Sequence, residues 1–312
     1  MSKQIYRVRN WKEYNTSLIN RGNITFWVAE EIEKDWYYQD KRKRGGIVKY
    51  SNVAITVALT LRNLFKMPLR ATEGLLRSLI KLSGIAVDTP NYTTLSRRAT
   101  GLEIKFQEQK NSEPLHILID STGINVYGES AWKSVKHGTY RYQVWRKLHI
   151  IMDLKSQVIL NAEYSESQMQ DAKYLAPLVE AVQGNIDEII GDGAYDKRRC
   201  YRKAHEIGAK LIVPPQHGAI VQRNRYKKEE ALLPRDDAIR EIKEQGIKEW
   251  KKRRQYHRRS LAEAMMFRIK TVFGEMVRSK KFENQRTDML IRCMIMNKMT
   301  ALGLPDGEMI PV

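Results

Sequence analysis

The chain has 312 residues, 42% of them hydrophobic, which is enough to bury the core of one large domain or two of ordinary size. Lys and Arg number 55 against 36 Asp and Glu, and the formal net charge of +19 favours a polyanionic partner, above all nucleic acid, although membrane-surface proteins share such a charge. Cys200 and Cys293 are too few for a disulfide framework or a cysteine metal site, and no apolar run is long enough to span a bilayer. We therefore expect a soluble, cytoplasmic protein that does not associate with a membrane.

The first 110 residues are predicted to form a mostly helical region. Apolar residues recur at helical spacing over residues 51–82 and are interrupted at Pro68, which predicts two or three helices. We expect this region, residues 1–110, to bind DNA.

A short basic helix follows near residues 89–98. Thr89 and Pro90 can open a turn, and the next residues, TTLSRR, predict a helix with Arg97 and Arg98 on its outside. This pattern suits the recognition helix of a helix-turn-helix, with Arg97 and Arg98 contacting DNA. The alternative is an ordinary surface helix with two arginines.

Residues 111–312 have the pattern of an α/β domain. Runs of β-branched and apolar residues predict strands that first form a hairpin and then alternate with helices, which indicates a mixed sheet covered by helices. Residues 218–252 are so highly charged that we expect a solvated helical insertion there. The predicted strands lie at 116–120, 146–154, 157–164, 186–192 and 209–215, and the helices at 171–184 and 197–208.

Aromatic and basic residues alternate in YRYQVWRKLH, residues 140–149. This mixture suits base stacking and phosphate contact, so we expect Arg146 and Lys147 to bind DNA. An edge strand with cations that reach into solvent is the alternative.

The segment YHRRSLAEAMMFRIK, residues 256–270, contains a single acid among basic and apolar residues. If the segment is one helix, Tyr256, Arg259, Glu263 and Lys270 lie on a stripe about 60° wide, beside an apolar face. A carboxylate between two cations suits a phosphate-handling metal site, because the carboxylate can bind a divalent ion while the cations hold phosphate oxygens. Such a site needs further acids.

Asp120 in HILIDSTG and Asp192 in IIGDGAYD are the best candidates for these acids. Each follows a run of apolar residues typical of a buried strand, which would deliver the carboxylate with little freedom. Taken singly, each can also be a turn or capping acid. Asp153 competes as the second acid, but DLKSQ is typical of a hairpin turn, and we expect Asp196 and Glu275 to lie on the surface.

The spacing Tyr256-x2-Arg259-x3-Glu263-x6-Lys270 matches the Y-R-E-K signature of the DDE transposases of bacterial insertion sequences. IDSTG and GDGAYD resemble the segments that carry the first two acids of that family, and LRATEGLLRSLI with NYTTLSRRA is similar to its amino-terminal region. The resemblance spans most of residues 50–300. One departure is the basic segment before Glu263, where some members carry a large β-rich insertion.

The resemblance implies a ribonuclease H-like catalytic core in which Asp120, Asp192 and Glu263 bind two Mg2+ ions, for which Mn2+ can substitute. It also implies that the enzyme cuts the ends of its element and joins them to target DNA, with Tyr256, Arg259 and Lys270 contacting DNA near the cut. The expected partner is double-stranded DNA, both the terminal repeats and the target, bound by a homodimer in the bacterial nucleoid. A nuclease without strand transfer and an inactive DNA-binding regulator are the alternatives.

Overall fold

The computed structural model describes residues 4–28, 35–39, 48–106, 113–127, 145–222 and 229–311. The chain divides into two units, Met1–Ile104 together with Lys281–Val312, and Lys105–Lys280. None of the helices in the described part of the chain is long and apolar enough to cross a membrane. In chain order, the strands and helices are β1 (Gln4–Val8), α1 (Trp11–Arg21), α2 (Ile24–Val28), α3 (Asn52–Leu64), α4 (Leu69–Ser83), α5 (Tyr92–Ala99), β2 (Leu115–Val126), β3 (Trp145–Asp153), β4 (Ile159–Glu166), α6 (Leu175–Glu180), β5 (Ile186–Ile190), α7 (Arg198–Glu206), β6 (Lys210–Ile212), α8 (Leu233–Arg253), α9 (Ser260–Phe273), β7 (Met276–Val277), α10 (Phe282–Leu302) and β8 (Gly307–Pro311).

The helices of the first unit begin and end where local chemistry requires it. The Ser51 side chain accepts a hydrogen bond from the Ala54 N–H at the start of α3, and α4 begins directly after Pro68. Asn91 caps α5 by accepting from the Thr94 N–H, at 2.8 Å. The two helices predicted on either side of Pro68 and the short helix at TTLSRR are therefore confirmed.

Helix α10 belongs to the first unit, which differs from the predicted catalytic domain of residues 111–312. It packs against α3 and α5, and most of its residues are buried. Polar groups fix the packing, since Arg62 pairs with Asp288 at 2.6 Å and Arg292 donates to the Asn63 side chain at 3.0 Å. Burial of α10 on several sides explains why it joins this helical unit and not the sheet. Strands β1 and β8 form an antiparallel pair in the same unit.

The second unit is organised by a mixed sheet of strand order β4-β3-β2-β5-β6. Strands β2, β3 and β4 are antiparallel neighbours, whereas β5 and β6 run parallel to β2, and the short β7 pairs with the far end of β2. Alternating side chains of β2 face opposite sides of this sheet. Ile117 and Ile119 enter a core that includes Leu175, Leu178 and Tyr201 from the adjoining helices. The predicted α/β class is confirmed.

The charged insertion predicted at residues 218–252 is only partly a helix. Helix α8 covers its second half and is interrupted at Gly246, whose φ of 84° is left-handed and breaks the helical hydrogen-bond pattern. Residues 223–228 lie outside the described residues. The predicted helix at 171–184 is likewise shorter, with a 3-10 turn (Asp171–Lys173) before α6.

Candidate active site

Asp120 lies in the middle of β2, not at the end of a strand as the sequence suggested. Its neighbour β5 ends sooner, because the β2–β5 pairing stops at Leu118 opposite Ile190. Asp120, two residues further along β2, therefore reaches the level at which the chain leaves β5 towards Asp192. Only 9% of Asp120 is exposed.

Both oxygens of the Asp120 carboxylate are engaged. The Ser121 N–H donates to Oδ1 at 2.8 Å, and Arg259 Nη1 donates to Oδ2 at 3.2 Å. Burial, together with the negative charges of Asp192 and Glu263, raises the pKa of Asp120 to about 6, against the lowering effects of the Ser121 N–H and Arg259. Arg259 joins Asp120 to Glu263, and Asp192 follows the neighbouring strand β5.

Asp192 precedes and caps the 3-10 turn Gly193–Tyr195. Its side chain accepts a hydrogen bond from the Ala194 N–H at 3.0 Å, the local capping role foreseen as an alternative. That bond leaves a partly exposed carboxylate with further acceptor capacity. Capping and metal binding are therefore compatible at Asp192.

Gly191, just before Asp192, is required by close packing. A Cβ at this position would lie 2.8 Å from Ile119 Cγ2 and 2.9 Å from Tyr195 Cδ2. Its backbone is held on both sides, since its N–H donates to the Ile212 carbonyl and its carbonyl accepts from the Tyr256 hydroxyl. This packing fixes the position of Asp192.

We predict that Gly191→Ala lowers the free energy of unfolding by about 1–3 kcal/mol, because the added methyl group must displace Ile119 or Tyr195. Denaturant unfolding of the purified protein measures it. Gly193→Ala is the matched control from the same motif. Its Cβ would meet the Pro214 carbonyl oxygen at an ordinary 3.5 Å, so we expect a change below about 1 kcal/mol. Equal effects of the two variants would contradict this account.

Tyr256 and Arg259 do not belong to the helix that carries Glu263. Residues Tyr256–Arg259 form a separate 3-10 turn, which we call the signature turn, preceded by Gln255 in a left-handed conformation with φ 48°. The single helical stripe predicted over residues 256–270 is therefore wrong in its geometry. The side chains still meet, because Arg259 pairs with Glu263 one turn into α9 and also contacts Asp120.

Glu263 is the accessible member of the acidic group, with 56% of its side chain exposed. Helix α9 holds it by burying the residues on its other side, among them Ala262, Met266 and Ile269. The apolar face predicted for this helix is confirmed. Lys270 lies on the same helix and is half-buried, and its amine makes no ion pair or hydrogen bond within the described residues.

Tyr256 is buried, with 8% exposed, and its hydroxyl donates to the Gly191 carbonyl at 3.1 Å. Its ring lies near Trp250 and under the Arg259 guanidinium, 5.9 Å from the ring centroid. Burial raises the pKa of Tyr256 to about 12, so the phenol is neutral near pH 7. The side chain therefore joins the signature turn to the segment that carries Asp192.

The other predicted DNA contacts lie elsewhere. Arg97 is exposed on α5, whereas Arg98 donates to the Tyr50 carbonyl and the Asn52 side chain, both at 2.6 Å. On β3, Arg146 lies 3.6 Å from Glu166, and Lys147 donates to Asp171 at 2.9 Å. Residues 140–144 of the basic and aromatic segment lie outside the described part of the chain.

The competing acids behave differently from the three candidates. Asp153 accepts from the Ser156 N–H and hydroxyl, which confirms its hairpin-turn role. Asp196 was expected on the surface, but it is buried and pairs with Arg235 at 2.6 Å. Because Arg235 comes from a distant helix, the local sequence could not reveal this partner.

The sequence analysis missed Tyr195 and His116. Tyr195 is 1% exposed, its hydroxyl has no hydrogen-bond partner among the described residues, and the charges of Asp120 and Asp192 reach it. The sequence signal for Tyr195 was its position in GDGAYD, three residues after Asp192. The ligand atoms of His116, Asp187 and Glu188 lie within 4.8 Å of one another, a spacing that could hold a metal ion.

A family model described as a transposase DDE domain matches residues 111–298, and another with the same description matches residues 19–129. Two solved structures show a weaker likeness. The synaptic complex of piggyBac transposase with hairpin DNA is 10% identical with a TM-score of 0.40, covering 95% of this chain and 76% of that one. The Drosophila P element transposase strand transfer complex is 10% identical with a TM-score of 0.30, covering 86% and 84%.

The match over residues 111–298 includes all three acids and the mixed sheet, and it spans more than half of the chain. The sheet order agrees with the ribonuclease H-like fold that the resemblance implied. The chain therefore belongs to the DDE transposase family, whose members are enzymes that cut and join DNA.

Proposed function

We propose that this transposase cuts the ends of an insertion sequence and joins them to target DNA by two-metal-ion phosphoryl transfer. Asp120, Asp192 and Glu263 are the proposed metal ligands. The observation that carries the proposal is the position of Arg259, whose guanidinium contacts both Asp120 and Glu263 while the charge of Asp192 acts on Asp120. These contacts support the proposal that three acids from distant parts of the chain share one site.

The residues present fit divalent ions such as Mg2+. Oxygen ligands suit hard cations, and the pKa of Asp120 is raised by burial and by two neighbouring negative charges that a bound cation would offset. The same carboxylates would also bind Mn2+, because they suit hard divalent ions as a class.

A two-ion site needs ligands from several carboxylates, because the two ions lie about 4 Å apart and the outer acids then serve different ions. The proposed arrangement has Asp120 between Asp192 and Glu263.

When bound, the ions would activate the attacking oxygen and stabilise the leaving oxygen of the phosphodiester. The chain's own residues position the reaction. Strand β2 and the packed Gly191 limit the movement of Asp120 and Asp192, while Arg259 offers a guanidinium that can pair with a phosphate when it releases an acid. The neutral, buried Tyr256 holds the signature turn and is not the proposed nucleophile.

Double-stranded DNA, as terminal repeats and as target, is the proposed partner, in keeping with the net charge of +19. Arg259 and Lys270 are proposed contacts near the cut, and Tyr256 could join them only if the signature turn opens, because its ring is buried. Arg97, Arg98, Arg146 and Lys147 are proposed as further contacts, of which Arg97 is the most exposed. Pairing two element ends requires two subunits, so we propose a homodimer on DNA.

The function is tested by incubating the protein with Mg2+ and the native DNA that flanks its coding sequence. Joining of cut ends to a second DNA is the expected result. Cutting without joining would support the alternative of a nuclease without strand transfer. Retention of DNA without any cutting would support a DNA-binding regulator and would contradict the proposal.

Tyr256→Phe is expected to retain substantial DNA cleavage, because no covalent tyrosine intermediate is proposed. The variant removes one buried hydrogen bond to Gly191, which should lower the free energy of unfolding by about 1–3 kcal/mol. Cleavage assays on the folded variant, checked by circular dichroism, measure both effects. Complete loss of cleavage in folded protein would contradict the assigned role.

A further inference from the structure

Arg259 bridges two of the three proposed metal ligands. Its Nη1 donates to Asp120 Oδ2 at 3.2 Å, and its Nη2 pairs with the Glu263 carboxylate. A divalent ion would use the same carboxylate oxygens, because hard cations bind oxygen ligands. The positive guanidinium would also repel an ion placed between these two acids. Arg259 and a metal ion therefore compete for the same two carboxylates.

The guanidinium of Arg259 is supported by the buried ring of Tyr256. It lies 5.9 Å from the ring centroid, and the Tyr256 hydroxyl donates to the carbonyl of Gly191, the residue before Asp192. Only 20% of the Arg259 side chain is exposed, whereas 56% of the Glu263 side chain is exposed. The pair is therefore held from the protein side and is open to solvent on the Glu263 side.

Neighbouring cations in the chain have other partners. Arg258, the residue before Arg259, pairs with Glu188 at 3.2 Å. Arg254, at the end of α8, donates to Glu241 at 2.7 Å. The contact with the proposed metal ligands is therefore a property of Arg259 and not of the basic segment as a whole.

We propose that Arg259 makes binding of the divalent ions depend on DNA. Without DNA, its guanidinium occupies Asp120 and Glu263 and weakens ion binding. A DNA phosphate offers the guanidinium two oxygens in a matching geometry, so bound DNA withdraws Arg259 from the acids and frees them for the ions. Such coupling is reciprocal, so bound ions also strengthen DNA binding. The inference rests on the proposed function, because it takes the three acids as the metal ligands.

This dependence would restrict the ion-loaded site to protein that already holds DNA. The alternative is that Arg259 only balances the charge of the acids and moves aside for the first ion. In that case DNA would not change the affinity for ions through Arg259. The two possibilities differ in the effect of DNA on ion binding, which can be measured without following cleavage.

The first test is Mn2+ binding to the full chain without DNA, followed by electron paramagnetic resonance of the unbound ion. Arg259→Gln should bind Mn2+ about tenfold or more tightly than the parent, because a positive charge beside the acids is removed. Unchanged or weaker binding would overturn the proposal. Adding Asp120→Asn to Arg259→Gln should abolish the gain, and a gain that persists would place the ion elsewhere and overturn it as well.

Arg254→Gln is the matched control for charge. It removes one positive charge from the same basic segment, while Glu241 keeps Arg253 as a partner at 3.4 Å. We expect less than about a twofold change in Mn2+ affinity, because exposed charges are screened by salt. Equal gains in Arg254→Gln and Arg259→Gln would reflect net charge alone and would overturn the proposal.

The second test repeats the titration with the native DNA that flanks the coding sequence, after subtraction of the Mn2+ bound by DNA alone. DNA should raise the Mn2+ affinity of the parent by about tenfold or more and that of Arg259→Gln by less than about threefold. Equal increases in the two proteins would overturn the proposal. That result would leave the proposed function standing, because joining of cut ends by the parent protein decides the function separately.

Thermal melting followed by circular dichroism establishes that each variant is folded. If Arg259→Gln fails to fold, Arg259→Lys replaces it, because a single ammonium group lacks the planar fork that spans both acids. We then expect Mn2+ binding about threefold tighter than in the parent. Absence of any gain in folded Arg259→Lys would overturn the proposal.

Discussion

Asp120→Asn is expected to abolish DNA cleavage, by at least roughly 10²–10³-fold, while DNA binding is retained. The amide keeps the shape of the side chain and can still accept from the Ser121 N–H, but it lacks the charge that the proposed ions require. Cleavage of end-labelled DNA measures the loss, and filter retention of the same DNA measures binding.

Asp153→Asn is the matched control for this result. Asp153 is also a buried acid of the same sheet, but it lies opposite Ile117 and serves the hairpin turn through Ser156. We expect its replacement to leave cleavage within a few-fold of the parent. Cleavage that survives in Asp120→Asn would exclude Asp120 as a metal ligand.

Arg235→Ala is predicted to lower the free energy of unfolding by about 3–5 kcal/mol, because it leaves the buried Asp196 carboxylate without its ion-pair partner. Only 1% of the Asp196 side chain is exposed, so water cannot replace the guanidinium. The Gln216 N–H that also donates to Asp196 offsets only part of this cost. Urea unfolding at pH 7 measures the change.

Arg240→Ala provides the comparison on the same helix. Arg240 pairs with Asp237 at 2.8 Å, but both side chains are about half exposed, so removing this pair should cost less than about 1 kcal/mol. A loss in Arg235→Ala no larger than that in Arg240→Ala would contradict the assigned importance of burial.

The acids could be selected from the sequence because strand patterns and spacing are local signals. The apolar run before Asp120 and the motif GDGAYD marked two buried strands, and the spacing around Glu263 marked the third acid. The arrangement of these acids in space depends on the register in which the strands pair. Asp120 approaches Asp192 because β5 stops pairing at Leu118, which no local pattern reports.

The signature turn shows where helical periodicity fails as a guide. Helical spacing predicted one continuous stripe, but the left-handed Gln255 and the 3-10 turn that follows separate Tyr256 and Arg259 from α9. Arg259 nevertheless meets Glu263, because the 3-10 turn leads directly into the helix. The spacing therefore identified Arg259 as a neighbour of Glu263, although the single helix from which it was inferred is wrong.

Contacts between distant segments account for the remaining differences. His116 meets Glu188 through parallel strand pairing, and Asp196 meets Arg235 through the packing of α8, so neither contact has a signal in local spacing. Helix α10 follows the catalytic segment in sequence but packs with α3 and α5 through a buried ion pair. These contacts depend on how distant segments pack together in the folded chain.

Asp120, Asp192 and Glu263 are proposed to hold two divalent ions together, and anomalous diffraction from crystals of the protein with Mn2+ and DNA tests this proposal most directly. We expect two manganese peaks about 4 Å apart among these three carboxylates. Peaks only at His116, Asp187 and Glu188, with none among the three acids, would contradict it.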